Sequence, residues 1–123
     1  HNMTHNQKNG GYANIQKIDA FHMQQWAYML RRMKETKEVD GSSMLDNSLV
    51  TYGAALGDGA THQFYDLPMI VAGKGQGQIK QGRLIKMKSG TLNSNLWLTL
   101  ARLMGLKIDS YADSSGVISD LWT

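Results

Sequence analysis

The 123-residue sequence contains no cysteine and only one proline. The lack of cysteine excludes disulfide bonds, thiolate nucleophiles and zinc sites built on sulfur ligands. No apolar run reaches the roughly 18 residues that a membrane-spanning helix needs. A charged start followed by an apolar segment and a cleavage site, the pattern of a signal peptide, is missing as well. The sequence therefore predicts neither a membrane span nor a signal peptide within these residues.

The sequence also lacks a block of charge of either sign. Thirteen Lys and Arg residues oppose ten Asp and Glu residues, for a net charge of +3, and the basic residues are scattered along the chain. This distribution does not indicate a nucleic-acid-binding surface. A hydrophobic fraction of 41% and a charged fraction of 19% are typical of a globular protein, and the length suits one domain better than two. Residues 1–123 are therefore predicted to form a single unit.

Residues 12–38 show the clearest periodicity in the sequence. Apolar side chains recur there at the spacing of one helix face. We expect a long amphipathic helix that ends before the turn signal Asp40-Gly41. His22 lies on the apolar stripe, which favours a structural role in the core or at its boundary over a role as a metal ligand. The apolar members of the stripe are Ile15, Ile18, Trp26, Met29, Leu30 and Met33.

The rest of the chain predicts two or three short strands and a second helix. Apolar runs at 49–53 and 67–73 indicate buried strands, and a third run lies at 83–87. The glycine-rich stretch between them, GKGQGQIKQGR, matches no phosphate-binding motif and favours a flexible hairpin. The second helix is predicted over 92–104, with Thr91 or Asn93 as its N-cap and Gly105 after its end. Since so few strands make a thin sheet, we expect an α/β fold that is the C-terminal part of a larger domain, preceded by an upstream part.

Histidine and aspartate residues occur in two places that suit a metal site. His1 and His5, in the predicted loop 1–11, are four residues apart, so on a helical turn both rings would point the same way. Asp58, His62 and Asp66 follow a predicted central strand, where α/β sheets place their sites. Imidazole and carboxylate ligands together suit zinc, manganese or iron. The alternatives are a disordered tail for the first pair and an ordinary turn for the loop.

One long segment joins several short motifs in a fixed order: LDNSLVTYGAALGDGATHQFYDLPMIVAGKGQGQIKQGR. It resembles the C-terminal signature of the HXXSHH-motif proteins, a bacterial domain family of unknown function. The later segment SNLWLTLARLMGLKIDSYADSSG is similar to that family's closing helix and ending. The opening HNMTHN corresponds to the naming motif, with Thr4 in place of its Ser and Asn6 in place of its final His. The resemblance covers nearly all of this chain but only the last quarter to third of a full-length member, which implies a missing N-terminal part and an exported protein.

That family in turn resembles the alkaline-phosphatase-like metal hydrolases, which include sulfatases and cofactor-independent phosphoglycerate mutases. The resemblance implies an α/β/α sandwich in which His1, His5, Asp58 and His62 are ligands of a divalent metal, zinc or manganese. Gly59 falls where these enzymes need a further imidazole, so a second metal site has lost a ligand within this chain. The implied function is that of a relative of metal-dependent phosphate- or sulfate-ester hydrolases. The alternative is a non-catalytic exported binding or assembly protein, and a homo-oligomer is compatible with either.

Overall fold

The computed structural model describes residues 1–122, and in this part of the chain helices and strands are mixed. Contacts divide the chain into two compact units, which we describe separately. The first comprises His1–Thr36 and Val50–Val71, and the second comprises Lys37–Leu49 and the chain from Ala72 onward. None of the helices within residues 1–122 has both the length and the apolar character needed to cross a membrane. The elements are α1 (Asn2–His5), α2 (Gly11–Glu35), β1 (Val50–Gly53), β2 (Met69–Ala72) and α3 (Asn93–Leu103), with 3-10 turns at Gln7–Asn9 and Ser119–Leu121.

The long helix α2 is present as predicted but ends earlier than residue 38. Its last residue is Glu35, and Thr36 turns into extended backbone with a φ of −73° and a ψ of 124°. Both the backbone N–H and the hydroxyl of Thr36 donate to the Arg32 carbonyl, which closes the last turn. The charged residues that follow are good helix formers, so the sequence alone favoured a longer helix. The predicted turn at Asp40-Gly41 is confirmed, and Gly41 adopts a left-handed φ of +83°.

The two strands β1 and β2 pair as a small antiparallel sheet. The positions of both strands confirm the prediction, whereas the expected full burial is wrong. Residues 50–52 are only half-buried and Gly53 is exposed. The side chains of Trp26 in α2 and Tyr52 in β1 lie with ring centres 5.5 Å apart. An antiparallel pair of strands can leave one face open to solvent, which explains the intermediate burial.

In the second unit, α3 supplies most of the core. It occupies 93–103, close to the predicted 92–104, and Gly105 follows it with a φ of +89° as predicted. The Leu106 N–H donates to the Ala101 carbonyl, so the helix ends in a Schellman motif. The predicted N-cap is wrong, because Leu92 holds that position and makes no side-chain cap bond. The buried apolar side chains of this unit are Ile79, Leu96, Leu98, Leu100, Leu103, Ile118 and Leu121.

The glycine-rich stretch does not form the predicted hairpin. Instead, the backbone N–H groups of Lys74, Gly75 and Gln76 donate to carbonyls in the segment 45–48, at 3.3, 3.1 and 2.8 Å. Gly73 is required here because a Cβ atom at this position would meet the Ser48 carbonyl oxygen. The third run, 83–87, is not a strand among the described residues. Leu84 is 96% exposed, so this run lacks the buried face that would hold it in a sheet.

Buried polar contacts fasten the C-terminal tail to α3. Thr99 is fully buried, and its hydroxyl donates to the Asn95 carbonyl at 2.6 Å while accepting the Ile118 N–H at 2.8 Å. The Asn95 side chain accepts the Ser115 N–H at 2.8 Å. Since a buried backbone N–H without a partner is costly, these two side chains fix the path of the tail.

We predict that Thr99→Val lowers the free energy of unfolding by about 1 to 3 kcal/mol, because the change keeps the shape of the side chain but leaves the Ile118 N–H unsatisfied. Urea unfolding followed by circular dichroism measures the loss. Thr36→Val is the matched control, since the Thr36 hydroxyl is exposed and water can replace its bond. Equal losses for the two variants would contradict the structural role of Thr99.

Candidate functional site

The N-terminal segment is not the loop that the sequence predicts. It forms the helical turn α1 and then a 3-10 turn, and both fold back onto the start of α2. Gly10 makes the reversal in the left-handed region, with a φ of +86°. A Cβ atom at Gly11 would meet the Met3 carbonyl oxygen and would lie 2.6 Å from that of Asn6. The glycine pair therefore lets this segment pack directly on the N-terminal end of α2.

The helical turn places His1 and His5 on the same side, as their spacing predicts. Their ring centres are 4.6 Å apart, and the ring planes meet at 68°. Both side chains are exposed to solvent. The backbone N–H of His5 donates to the His1 carbonyl at 3.3 Å, so the turn itself holds the two residues together.

His62 comes from a closed loop in the same unit. The Gly57 N–H donates to the Gln63 carbonyl at 2.7 Å, and the Gln63 N–H donates to the Asp58 carbonyl at 2.9 Å. Within the loop, His62 has a left-handed φ of +56°, an uncommon conformation for a residue other than glycine. Its ring centre lies 5.1 Å from that of His5, with the planes at 70°. The structure thus brings together the rings of His1, His5 and His62 in a row, which we call the histidine row.

Asp58 organises the loop and joins it to the N-terminal segment. One carboxylate oxygen accepts the Ala60 N–H at 3.0 Å and the Gln7 side-chain amide at 3.2 Å. The other accepts the Thr61 hydroxyl at 2.7 Å. The bond from the Ala60 N–H, followed by those from Thr61 and Gln7, holds the pKa of Asp58 below its ordinary value. All three donors favour the charged carboxylate, which here acts as an acceptor within the protein.

The histidine row partly fits a metal ion. Two rings that share a tetrahedral zinc would have their centres about 5 Å apart, because each nitrogen lies about 2.0 to 2.1 Å from the metal. Both observed separations are close to this distance. The rings nevertheless meet edge to face, and within residues 1–122 no three His, Asp or Glu side chains converge as a metal site. Each neighbouring pair of rings is therefore near enough to share an ion, but the three rings do not converge on one.

The remaining predicted residues lie outside this row. Asp66 has a left-handed φ of +52°, and within the described chain it makes no hydrogen bond to the row or its loop. His22 is exposed on α2 beside Phe21, with ring centres 6.1 Å apart. Its predicted place in the core or at the core boundary is wrong, because nothing in the described chain covers its side chain, although Trp26 one turn later is partly buried.

No protein-family model, curated protein or solved structure matches this chain.

Two open clefts show where a small molecule has room. In the first unit, a cleft of about 310 Å³ lies beside His5 and is lined by residues 5–9 and Ala60. Its polar lining comes from Lys8 and several side-chain amides. In the second unit, a cleft of about 780 Å³ has an acidic lining and contains no histidine. There, Lys74 contacts Asp46 at 2.8 Å and, together with Ser43, lowers the Asp46 pKa to about 2. Of these two clefts, the smaller one adjoins a member of the histidine row.

Sequence reasoning missed two residues of this site. Thr61 lies three positions after Asp58, the spacing of a side-chain turn bond, so a local signal for it was present. Gln7 is 51 residues from Asp58 in the sequence, and nothing local marks that contact.

We predict that the Ala60 amide proton reports the titration of Asp58 with a midpoint below 3.8, the ordinary value for this carboxyl. The carboxylate bonds are fully present above the ordinary pKa and are lost as the pH falls through the lowered one. NMR spectra recorded from pH 6 to pH 2 would measure the midpoint. In Gln7→Ala, which removes one donor, the midpoint should rise toward the ordinary value, and an unchanged midpoint would contradict the Gln7 contact.

Proposed function

We propose that the histidine row binds a divalent transition metal, zinc or manganese. We further propose that the chain is the ligand-bearing C-terminal part of an HXXSHH-family protein related to the alkaline-phosphatase-like hydrolases. The observation that carries this proposal is the adjacency of His5, from the N-terminal segment, to His62, from a loop distant in the sequence. The nitrogen of a neutral imidazole is the commonest protein ligand of a metal ion, so two adjacent exposed rings suit a shared ion.

The exposure of the three rings is compatible with binding. Exposed side chains change rotamer on a fast timescale, so the rings of His1, His5 and His62 are free to reorient when an ion binds. Three neutral imidazoles leave a fourth coordination position open, as a catalytic zinc requires. A metal bound in this way would lower the pKa of a water molecule.

The cleft beside His5 supports a phosphate- or sulfate-ester substrate. Lys8 carries a positive charge, and the side-chain amides of Asn6, Gln7 and Asn9 supply hydrogen-bond donors around the cleft. Phosphate and sulfate groups bind through such charged and amide donors. In the related hydrolases the nucleophile and the remaining ligands come from the N-terminal half, so hydrolysis is proposed for the whole protein.

The surface of α2 supports the proposal that this chain is part of a larger α/β/α sandwich. Trp26 faces the strand residue Tyr52, but Phe21 and Tyr28, on a different face of the helix, are 57% and 56% exposed. Ile18 and Met29 are each 40% exposed. A helix with apolar residues on more than one face is typical of the interior of a larger protein.

A second candidate function is a non-catalytic metal-binding or assembly protein. The observation that favours it is the state of Asp58, whose oxygens already accept three hydrogen bonds within the protein. Gly59 provides no imidazole beside it. A second metal site would therefore lack ligands within this chain, which would weaken a two-metal mechanism.

We predict that wild-type residues 1–123 bind Zn²⁺ and that His5→Ala and His62→Ala each weaken the affinity at least about tenfold, the loss already typical of outer-shell residues. His22→Ala is the matched control, since it removes an exposed histidine outside the row and should leave the affinity unchanged. Calorimetric titration at neutral pH makes the comparison. Equal affinities for wild type, His5→Ala and His62→Ala would refute the metal site.

The two candidate functions differ in a second experiment. We predict that the full-length protein, loaded with zinc or manganese, hydrolyses aryl phosphate or aryl sulfate esters and that His5→Ala abolishes this activity. Colorimetric release of nitrophenol measures the rate. Metal binding that depends on His5, combined with no cleavage of either ester class, would instead favour the non-catalytic protein.

A further inference from the structure

We propose that Gly59 is a positioning residue of the histidine row: its missing side chain lets Thr4 pack against the loop and so brings His5 next to His62. This inference rests on the proposed function, because the row is the metal site named there. Neither Thr4 nor Gly59 contributes a metal-binding group. Both would affect metal binding only by positioning His5 and His62.

The contact is confined to one methyl group. A Cβ atom added to Gly59 would meet the Cγ2 methyl of Thr4 at a distance that real atoms do not reach. The next nearest atom is the Thr4 Cβ, at 3.7 Å, and no other heavy atom lies within 4 Å. An alanine Cβ at 59 would therefore have to displace the Thr4 methyl and would crowd no other residue.

The glycine is needed for space and not for its backbone conformation. Nine other glycines of the described chain have a left-handed φ, but Gly59 is not among them. An alanine at 59 would therefore not meet the strain that a left-handed φ imposes on it. The effect of Gly59→Ala can therefore be assigned to the contact with Thr4, and a change at position 4 can relieve it.

Each of the two residues in this contact belongs to a segment that carries a histidine of the row. His5 directly follows Thr4 on a helical turn in which the Thr4 N–H donates to the His1 carbonyl at 3.0 Å. His62 follows Gly59 in a loop closed by the pairing of Asp58 with Gln63. Because the turn and the loop are each held by their own hydrogen bonds, pushing Thr4 away from Gly59 would separate the two rings. The bond from Gln7 to Asp58, at 3.2 Å, would lengthen with them.

Four proteins test this proposal: wild type, Gly59→Ala, Thr4→Ser and the double variant. Thr4→Ser removes the methyl and keeps the hydroxyl. We expect Gly59→Ala to weaken Zn²⁺ binding about tenfold or more, as loss of a supporting residue does. In the Thr4→Ser background, the loss of Zn²⁺ affinity caused by Gly59→Ala should be at least about threefold smaller. A coupling of this size is found between residues in contact. In metal-free protein, the nuclear Overhauser effect between the His5 and His62 rings should weaken in Gly59→Ala and recover in the double variant.

Gly53→Ala is the matched glycine control. It introduces clashes with the Met69 side chain and the Pro68 carbonyl oxygen in the same unit. It should lower stability without changing the nuclear Overhauser effect between the His5 and His62 rings. If Gly59→Ala binds zinc as wild type does, or if the double variant is no better than Gly59→Ala, the positioning role is overturned while the metal site stands. If zinc binding does not depend on His5 or His62, the proposed function fails. In that case the nuclear Overhauser effect in metal-free protein still tests whether Gly59 keeps the His5 and His62 rings together.

Discussion

The candidate site depends on the hydrogen bonds that the Asp58 carboxylate accepts. It accepts two hydrogen bonds from its own loop, from Ala60 and Thr61, and one from Gln7 in the N-terminal segment. The loop bonds fix the backbone that presents His62, and the long-range bond keeps the segment carrying His5 beside it. Because the carboxylate is charged at neutral pH, all three bonds are charge-assisted and stronger than neutral ones. The family resemblance predicts that Asp58 is a metal ligand; in the structure its carboxylate accepts hydrogen bonds from both segments.

The elements that could be predicted from the sequence are those defined by local physics. Helical periodicity located α2 and α3, and Gly105 marked the end of α3 because only a left-handed residue closes a Schellman motif. The errors arose where distant segments decide the conformation. The first eleven residues can fold into helical turns because Gly11 has no side chain to collide with the carbonyl oxygens of Met3 and Asn6. The glycine-rich stretch follows the segment 45–48 because its N–H groups find acceptors there, which no local pattern indicates.

In the candidate site, too, local contacts could be predicted from the sequence and long-range contacts could not. The pairing of His1 with His5 followed from their spacing, since residues four apart share a face of a helical turn. The proximity of His62 did not follow from spacing; only the resemblance to a metal-binding family suggested it. Thr4 and Gln7, which join the two segments, carry no chemical signal in the sequence. Their role depends on contacts with residues that are distant in the sequence, and no local sequence pattern indicates such contacts.

The contact between the Thr4 methyl and the bare backbone of Gly59 also limits how this protein can evolve. A lineage that first gains a side chain at position 59 passes through a protein whose two halves of the site no longer meet. A lineage that first exchanges threonine for serine opens the space at little cost, and only then is a larger residue tolerated opposite it. Because one contact joins the two positions, they are expected to vary together among descendants of this sequence.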